Sequence, residues 1–440
     1  MMALSACASG SSEQQTSQAP PQANPVDAGL PMTAPFDAAV AEPPADTAKD
    51  AKLVRSMLKK VAARRELEAT GEVVSATISR KTIISQIKEH VGREIPRVAI
   101  DREGSVMKLL ALIPQDLDYE KETFALLEAQ IAGYYEPADK HMYLASDLGE
   151  KDAAATLAHE LVHALQDQHF DLGARSKYTA GQSDRSLATS CLAEGDAMSA
   201  MFDVMFGAGK ALEMPPGVFP KLVEAGLSTG PGASAPPAMK RSLVAPYSFG
   251  TEFVHALRRQ GGFALVDEAW KNPPMTTEQI LHPEKWKKHE PALGVAKYVP
   301  PSDFTVEDED SGGELSLRIA LEEWIGTKDG PAFAVGWGGD HTEYVKRGDE
   351  VFLTWQLRFD SAKGAPAKKL EKALSAAWAQ KKWLGAKGCF EGPGGNLAVR
   401  VLRDDEIVIL AGPTNATTRK PSADCAATLK LATLATATPR

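Results

Sequence analysis

Apolar positions along this chain change period several times, and each change predicts an element. Residues 52–67 carry helical spacing among many basic side chains, and residues 71–78 alternate as a strand does. Residues 81–91 and 106–113 read as helices, the second ended by Pro114, and residues 119–132 as an amphipathic helix. Two β-favouring runs then flank a Pro-Ala-Asp-Lys turn within residues 133–144, which predicts a hairpin. Residues 151–168 are apolar round most of a helical circumference and so predict a buried helix. Asp171-Leu172-Gly173 reads as its glycine stop. A second long helix is expected over residues 184–206.

Residues 207–245 are rich in Gly, Pro and Ala and read as an irregular excursion, followed by short helices at 252–259 and 264–270. Charge and glycine accumulate over residues 300–313 and suggest a boundary there. Beyond it the pattern predicts a helix at 315–325, a strand at 351–359 and a helix at 367–383. Two further strands are expected at 397–401 and 406–410, joined by Arg403-Asp404-Asp405. The expected fold is therefore α+β. It divides into a mainly helical region over 48–300 with a small edge-strand hairpin, and a C-terminal α+β domain over 301–440.

Composition narrows the class. Of 440 residues, 43% are hydrophobic and 24% charged, which suffices for a sizeable core. The net charge of -9 argues against nucleic acid or an anionic membrane as the main partner, since both need a basic footprint. No apolar run reaches the length of about 18 residues that a membrane span needs. Residues 8–47 are rich in Ala, Pro, Ser and Gln and predict a disordered linker. Ahead of them, Leu4-Ser5-Ala6-Cys7 resembles the cleavage motif of a bacterial lipoprotein signal. The stretch before it is too short for a signal, so the expectation is a signal whose start lies upstream, with Cys7 carrying a lipid anchor at the cell envelope. None of the four cysteines forms a C-x-x-C pair. Cys389 and Cys425 can pair in an oxidising compartment, whereas Cys191 reads as a small core residue.

Candidate chemistry lies in the buried helix, at His159-Glu160-Leu161-Val162-His163. Positions four apart share a helix face, so both imidazoles can reach one ion from adjacent turns. Glu160 is turned about 100° away, where it can address a water as general base. Zinc is the expected ion, and a catalytic zinc needs a third protein donor and an open position. Glu194 is the preferred donor, 194 - 163 = 31 residues downstream in an apolar helical run; Asp196 and Asp184 are its rivals. Gln166 and Asp167, three and four residues after His163, can orient a ligand. His282 and Tyr247, in Pro-punctuated contexts, are candidates for stabilising an oxyanion. The hairpin offers an edge strand on which an extended peptide can pair. Gly336 to Asp340 lacks the Lys-Ser/Thr of a phosphate loop.

The combination of H-E-L-V-H with a downstream helical glutamate resembles the gluzincin type of zinc metallopeptidase. More narrowly, five segments resemble a sparsely characterised group of bacterial secreted or lipid-anchored zinc peptidases. They are Gln130 to Tyr135, His159 to Phe170, Leu192 to Ala197, Thr276 to Pro283 and Gly336 to Asp340. The resemblance implies one zinc held by His159, His163 and Glu194, with Glu160 as catalytic base and a peptide or protein as substrate. Glu194 is followed by Gly195-Asp196 where better-known gluzincins place an aspartate one turn on. Two alternatives remain: a non-catalytic envelope protein whose zinc is structural, which needs a fourth protein ligand, and a zinc hydrolase of a non-peptide amide.

Overall fold

The structure is a computed structural model that describes residues 7–8, 48–227, 232–386, 388–418 and 420–434. The expected linker falls, over residues 9–47, outside the described residues. After the two-residue strand β1 (Cys7–Ala8) come α1 (Ala48–Arg65), β2 (Val74–Ile78), α2 (Arg80–Glu94), α3 (Arg97–Leu109) and α4 (Tyr119–Gln130). Ser79 caps α2 by accepting from the Thr82 amide, and Asp118 caps α4 by accepting from that of Lys121. The helix expected at 106–113 begins nine residues earlier. Its first turns bunch their apolar residues at Val98, Ala99 and Ile100, without helical spacing, and include Gly104, where a Cβ would come within 2.8 Å of Tyr119 Cβ. The glycine that weakens the helical signal is what lets α3 and α4 touch.

The hairpin forms as expected, from β3 (Ile131–Glu136) and β4 (His141–Ala145), with Tyr134 opposite Tyr143. β2 adds parallel to β4, so the first sheet runs β1-β3-β4-β2. It packs on α5 (Glu150–Phe170), and a Cβ on Gly133 would stand 2.9 Å from Thr156 Cγ2 of that helix. The end of α5 departs from expectation. Asp171, not Gly173, takes the left-handed conformation, with φ 56°. Gly173 belongs to the short α6 (Leu172–Arg175), where a side chain would meet Pro137 Cβ at 2.9 Å.

The second long helix is α7 (Ser183–Phe206), close to its expected bounds. The region expected to be irregular holds α8 (Val218–Leu227) and the start of α9 (Pro237–Lys271). The two short helices foreseen there are present on either side of a break at Gly261 and Gly262, and the first of them extends back through Pro246 to Pro237. Proline in a helix interior costs about 3 kcal/mol. Here α9 offsets that by burial along α7, which it meets with almost no gap. A Cβ on Gly195 would lie 2.1 Å from the Gly250 carbonyl oxygen, and one on Gly250 would lie 2.0 Å from that of Cys191. Cys191 is fully buried there as a free thiol.

After α10 (Thr277–Leu281) and α11 (Pro283–Lys287), the chain builds the second sheet. It comprises β5 (Thr305–Asp310), α12 (Gly313–Trp324), β6 (Trp337–Arg347), β7 (Glu350–Phe359), α13 (Pro366–Gln380), β8 (Leu384–Ala386), β9 (Cys389–Gly392), β10 (Gly395–Arg403), β11 (Glu406–Asn415) and α14 (Cys425–Leu434). The strand order is β5-β6-β7-β11-β10-β9-β8, antiparallel throughout. β5 occupies the charged stretch read as a boundary; as an edge strand it tolerates its carboxylates. Both sheet faces are covered. Leu353, Trp355 and Leu357 of β7 face a large core shared with α1, α5, α7 and α9, and Phe352 faces a smaller one with α14. Cys389 and Cys425 form a disulfide that ties α14 to β9.

The α7–α9 contact yields a prediction. Gly195→Ala should lower stability by about 3 kcal/mol or more, because two backbones must part. Gly92→Ala, on the exposed face of α2 with nothing within 4 Å, should raise it by about 0.5–1 kcal/mol. Denaturant unfolding of the metal-free protein reads both; equal effects would contradict the packing described.

Candidate metal centre

α5 presents His159 and His163 on one face, and the antiparallel return through α7 brings Glu194 against them. His159 Nε2 is 3.1 Å from His163 Nε2 and 3.1 Å from Glu194 Oε2, and His163 Nε2 is 3.4 Å from the same oxygen. All three side chains are buried. Ligand atoms set tetrahedrally around zinc at bond lengths near 2.0–2.1 Å stand about 3.3 Å apart, so this donor set fits one such ion. Among the described residues this is the one group of its kind, and it offers three donors with no fourth.

One ligand has its tautomer and orientation set from behind. His163 Nδ1 donates to Gln166 Oε1 at 2.8 Å, which leaves the Nε2 lone pair facing the cluster. The Gln166 amide is fixed in turn, since its Nε2 donates to the Ala193 carbonyl at 2.9 Å and to Asp196 Oδ2 at 3.2 Å. Asp196 also accepts from Trp270 Nε1 at 2.9 Å and from Arg65 Nε at 2.6 Å. Arg65 is fully buried and reaches Asp267 as well, at 2.6 Å. One carboxylate thus links α1, α5, α7 and α9 directly behind the donors. Asp196 is a strut and not a rival ligand. Asp184, the other rival, accepts from the Thr277 amide and hydroxyl at 2.9 and 2.6 Å. Asp167 does not orient His163; it accepts from Tyr135 and from the Gly173 amide.

The two oxyanion candidates separate. Tyr247 lies inside α9, not in a loop, and its ring centroid is 6.2 Å from that of His159 at 29°. His282 closes α10 and pairs with Glu314 at 3.0 Å, within the frame of α10 and α12. It is not part of the donor group. The segments Thr276 to Pro283 and Gly336 to Asp340 serve that frame. Thr277 holds the start of α7 through Asp184, and Asp340 accepts from Ser311, Gly312, Gly313 and Trp355 to hold the start of α12.

A cleft of about 730 Å³ opens onto Glu160, His163 and Glu194. Its walls are β3 at Tyr134 to Glu136, the α6–α7 connection, and the first turns of α7, where Ser183, Ser186 and Thr189 supply hydroxyls. Glu160 is wholly buried at the cleft floor.

Sequence reasoning missed Arg65 and Trp270. Arg65 sits in a basic amphipathic helix where nothing distinguishes it from Arg64. The spacing of Gln166 from His163 carries a signal, because i and i+3 are neighbours on a helix.

Comparison with known proteins adds little at this centre. Residues 303–420 match the family model described as Domain of unknown function (DUF8575), a stretch that contains β5 to β11 and none of the three donors. No curated protein and no solved structure matches the chain.

Charge in the metal-free centre is coupled. Burial opposes a proton on His163, but the Glu194 carboxylate and, behind it, Glu160 hold that proton up to about pH 9. Burial likewise opposes charge on Glu194, and His163 and His159 bring it down to about 2. This pair therefore stabilises the metal-free fold most between the unfolded values of about 4.3 and 6.5. The gain fades as pH rises through about 9 or falls through about 2. A metal ion needs His163 neutral, so affinity should rise about tenfold per pH unit between roughly pH 6 and 8, with about one proton released per ion. Calorimetry in buffers of different ionisation enthalpy checks this; a pH-independent affinity would contradict it. Gln166→Ala should weaken binding about 10–100-fold, and His163→Ala should abolish it.

Proposed function

We propose that this protein is a zinc-dependent hydrolase of peptide bonds built on a zincin-like core. The observation that carries the reading is the convergence of two imidazole nitrogens and one carboxylate oxygen at contact distance, at the floor of a cleft, with Glu160 beside them. Three protein donors favour this over a structural zinc, which is closed by four. A zinc ion, which His159, His163 and Glu194 would hold, would supply the Lewis acidity that makes a water acidic near neutral pH. Glu160, one residue from His159 and turned off its face, takes up a proton and returns it to the leaving amine. Gln166 keeps the His163 ring turned to the site. Tyr247, stacked beside His159, is favoured over His282 as donor to the oxyanion. Tyr134 to Glu136 lie on β3 beyond the residues paired with β1, and they supply main-chain groups for an extended peptide.

Location is part of the proposal. The Leu4 to Cys7 motif supports a lipid anchor at the cell envelope, and the Cys389–Cys425 disulfide suits an oxidising compartment. No helix among the described residues is long and apolar enough to cross a membrane.

Glu160→Gln should keep one zinc per chain by elemental analysis and lose about 10²–10⁴-fold in peptide cleavage. Full activity in that variant, or no cleavage of any peptide library by the zinc-loaded protein, defeats the reading. Tyr247→Phe should lower kcat about 10²-fold with zinc content unchanged.

A further inference from the structure

Beside the cleft lies a second cavity that the reading above leaves without a task. It measures about 130 Å³ and lies among α3, α12, the second sheet and the segment that leads into α7. α3 contributes Ala99, Glu103 and Val106, which share one helix face, and Leu110 follows at its C-cap. α12 contributes Ser316 and Ala320, one turn apart. The second sheet contributes alternate residues, Thr342 and Tyr344 on β6 and Leu353 and Trp355 on β7, so one sheet face forms the floor. Arg102, Glu103, Asp308 and Asp310 also line it, and Arg102 pairs with Asp308 at 2.9 Å.

Two observations join this cavity to the cleft. Tyr178 and Ser183 line both. Ser183, at the start of α7, is also anchored to the sheet, since its amide donates to Asp310 at 2.9 Å. The wall between the two spaces is thus a single short segment fastened to β5. Size decides the occupant. A dry apolar cavity of about 150 Å³ holds one benzene molecule, so this one accommodates a single phenyl ring or a branched aliphatic side chain.

We propose that this cavity is a side-chain subsite of the cleft, that it selects substrates with a phenylalanine- or leucine-sized apolar side chain, and that the region of unknown function supplies its floor. The proposal rests on the peptidase reading for its substrate class but not for its binding chemistry. A peptide running along β3 past the donor group sends one side chain between α3 and the sheet, and the remote contact aids turnover by holding the scissile bond in place. The length of chain from 303 to 420 then acts on the reaction through specificity, without touching the metal.

Two measurements on the full zinc-loaded protein test this. In the first, methyl-labelled Met107, which lines the cavity, is followed by NMR while N-acetyl-phenylalanine amide or N-acetyl-alanine amide is added. A saturable shift with the phenylalanine compound and none with the alanine compound is expected; no shift, or equal shifts with both, overturns the subsite. In the second, matched peptides differing by Phe or Ala are compared by kcat/KM at each position around the cut. One position should favour Phe about 10–200-fold, and Ser316→Leu, which fills the cavity, should cut that ratio at least tenfold with one zinc still bound per chain. If peptides are cleaved with no such preference, the subsite fails and the peptidase reading stands. If Met107 responds but nothing is cleaved, the binding pocket stands and the peptidase reading fails.

Discussion

A carboxylate buried to 1% exposure needs a positive charge in contact, and Glu194 makes that demand on everything around it. Water meets little of it, because Glu194 is almost wholly covered even where the cleft reaches it. Two rings one turn apart on α5 are the only groups among the described residues whose nitrogens are placed against that oxygen within 3.4 Å. An isolated buried carboxylate would sooner take up a proton than stay charged. Holding it charged requires the rings to keep their positions, and the rings keep them only if α5 and α7 do not slide. The Gln166–Asp196–Arg65 chain resists that sliding. Its links are buried, three of its four anchors come from different helices, and each polar group in it fixes the direction of the next. A buried ion pair is weak evidence of stability, since desolvation offsets much of its attraction. Its value here is directional: Asp196 stands two residues from Glu194 on α7, so the strut that grips α1 also orients the donor.

How much of this was legible in the chain depended on the range of the interaction. The rings and Glu160 follow from helical spacing alone. Glu194 follows from an apolar run long enough to return antiparallel. Gln166 is one turn from His163, and local spacing exposes it. Arg65 is 131 residues from Asp196, and a basic helix offers no sign that one guanidinium among several points inward. The fold shows the same division. α5, α7 and the hairpin have a single period and read correctly. The first part of α9 does not, because Pro246 argues for a break locally, whereas the α7 contact, made possible by Gly195 and Gly250, holds the helix through it; the break at Gly261 and Gly262 falls where the sequence placed one. β5 and β6 escape notice because one is acidic and the other opens on Trp337-Gly338-Gly339. Gly339 is required there by the Leu293 carbonyl, which a Cβ would approach to 2.2 Å.

The C-terminal sheet has a bearing on the centre although it holds none of the donors. α7 enters the site from its start at Ser183, and that start is fastened to β5 by Asp310 and to α10 by Asp184. The Thr277 hydroxyl donates to Asp184, and the Leu315 amide donates to it in turn, while Asp340 secures the turn before α12. A Cβ on Gly313 would fall 1.7 Å from Asp184 Oδ1, so the crossing admits no other residue without displacing the carboxylate. Thr276 to Pro283 and Gly336 to Asp340, away from the donor group, are therefore joints. They set the angle at which α7 leaves the sheet, and with it the depth at which Glu194 meets the rings.

Charge balance favours a particular kind of occupant. Glu160, Glu194 and Asp196 bring three carboxylates into one buried neighbourhood, and Arg65 answers one of them. A proton on His163 answers a second and leaves the cluster with an excess negative charge. A divalent cation in place of this proton would add one more positive charge to the cluster. In a low-dielectric interior a residual charge is costly, so the same arrangement that tolerates a proton is relieved by an ion of charge two. The relief does not require Glu160 to become a ligand. Because Glu160 is turned away from the face that His159 and His163 share, its charge would balance such an ion from a distance.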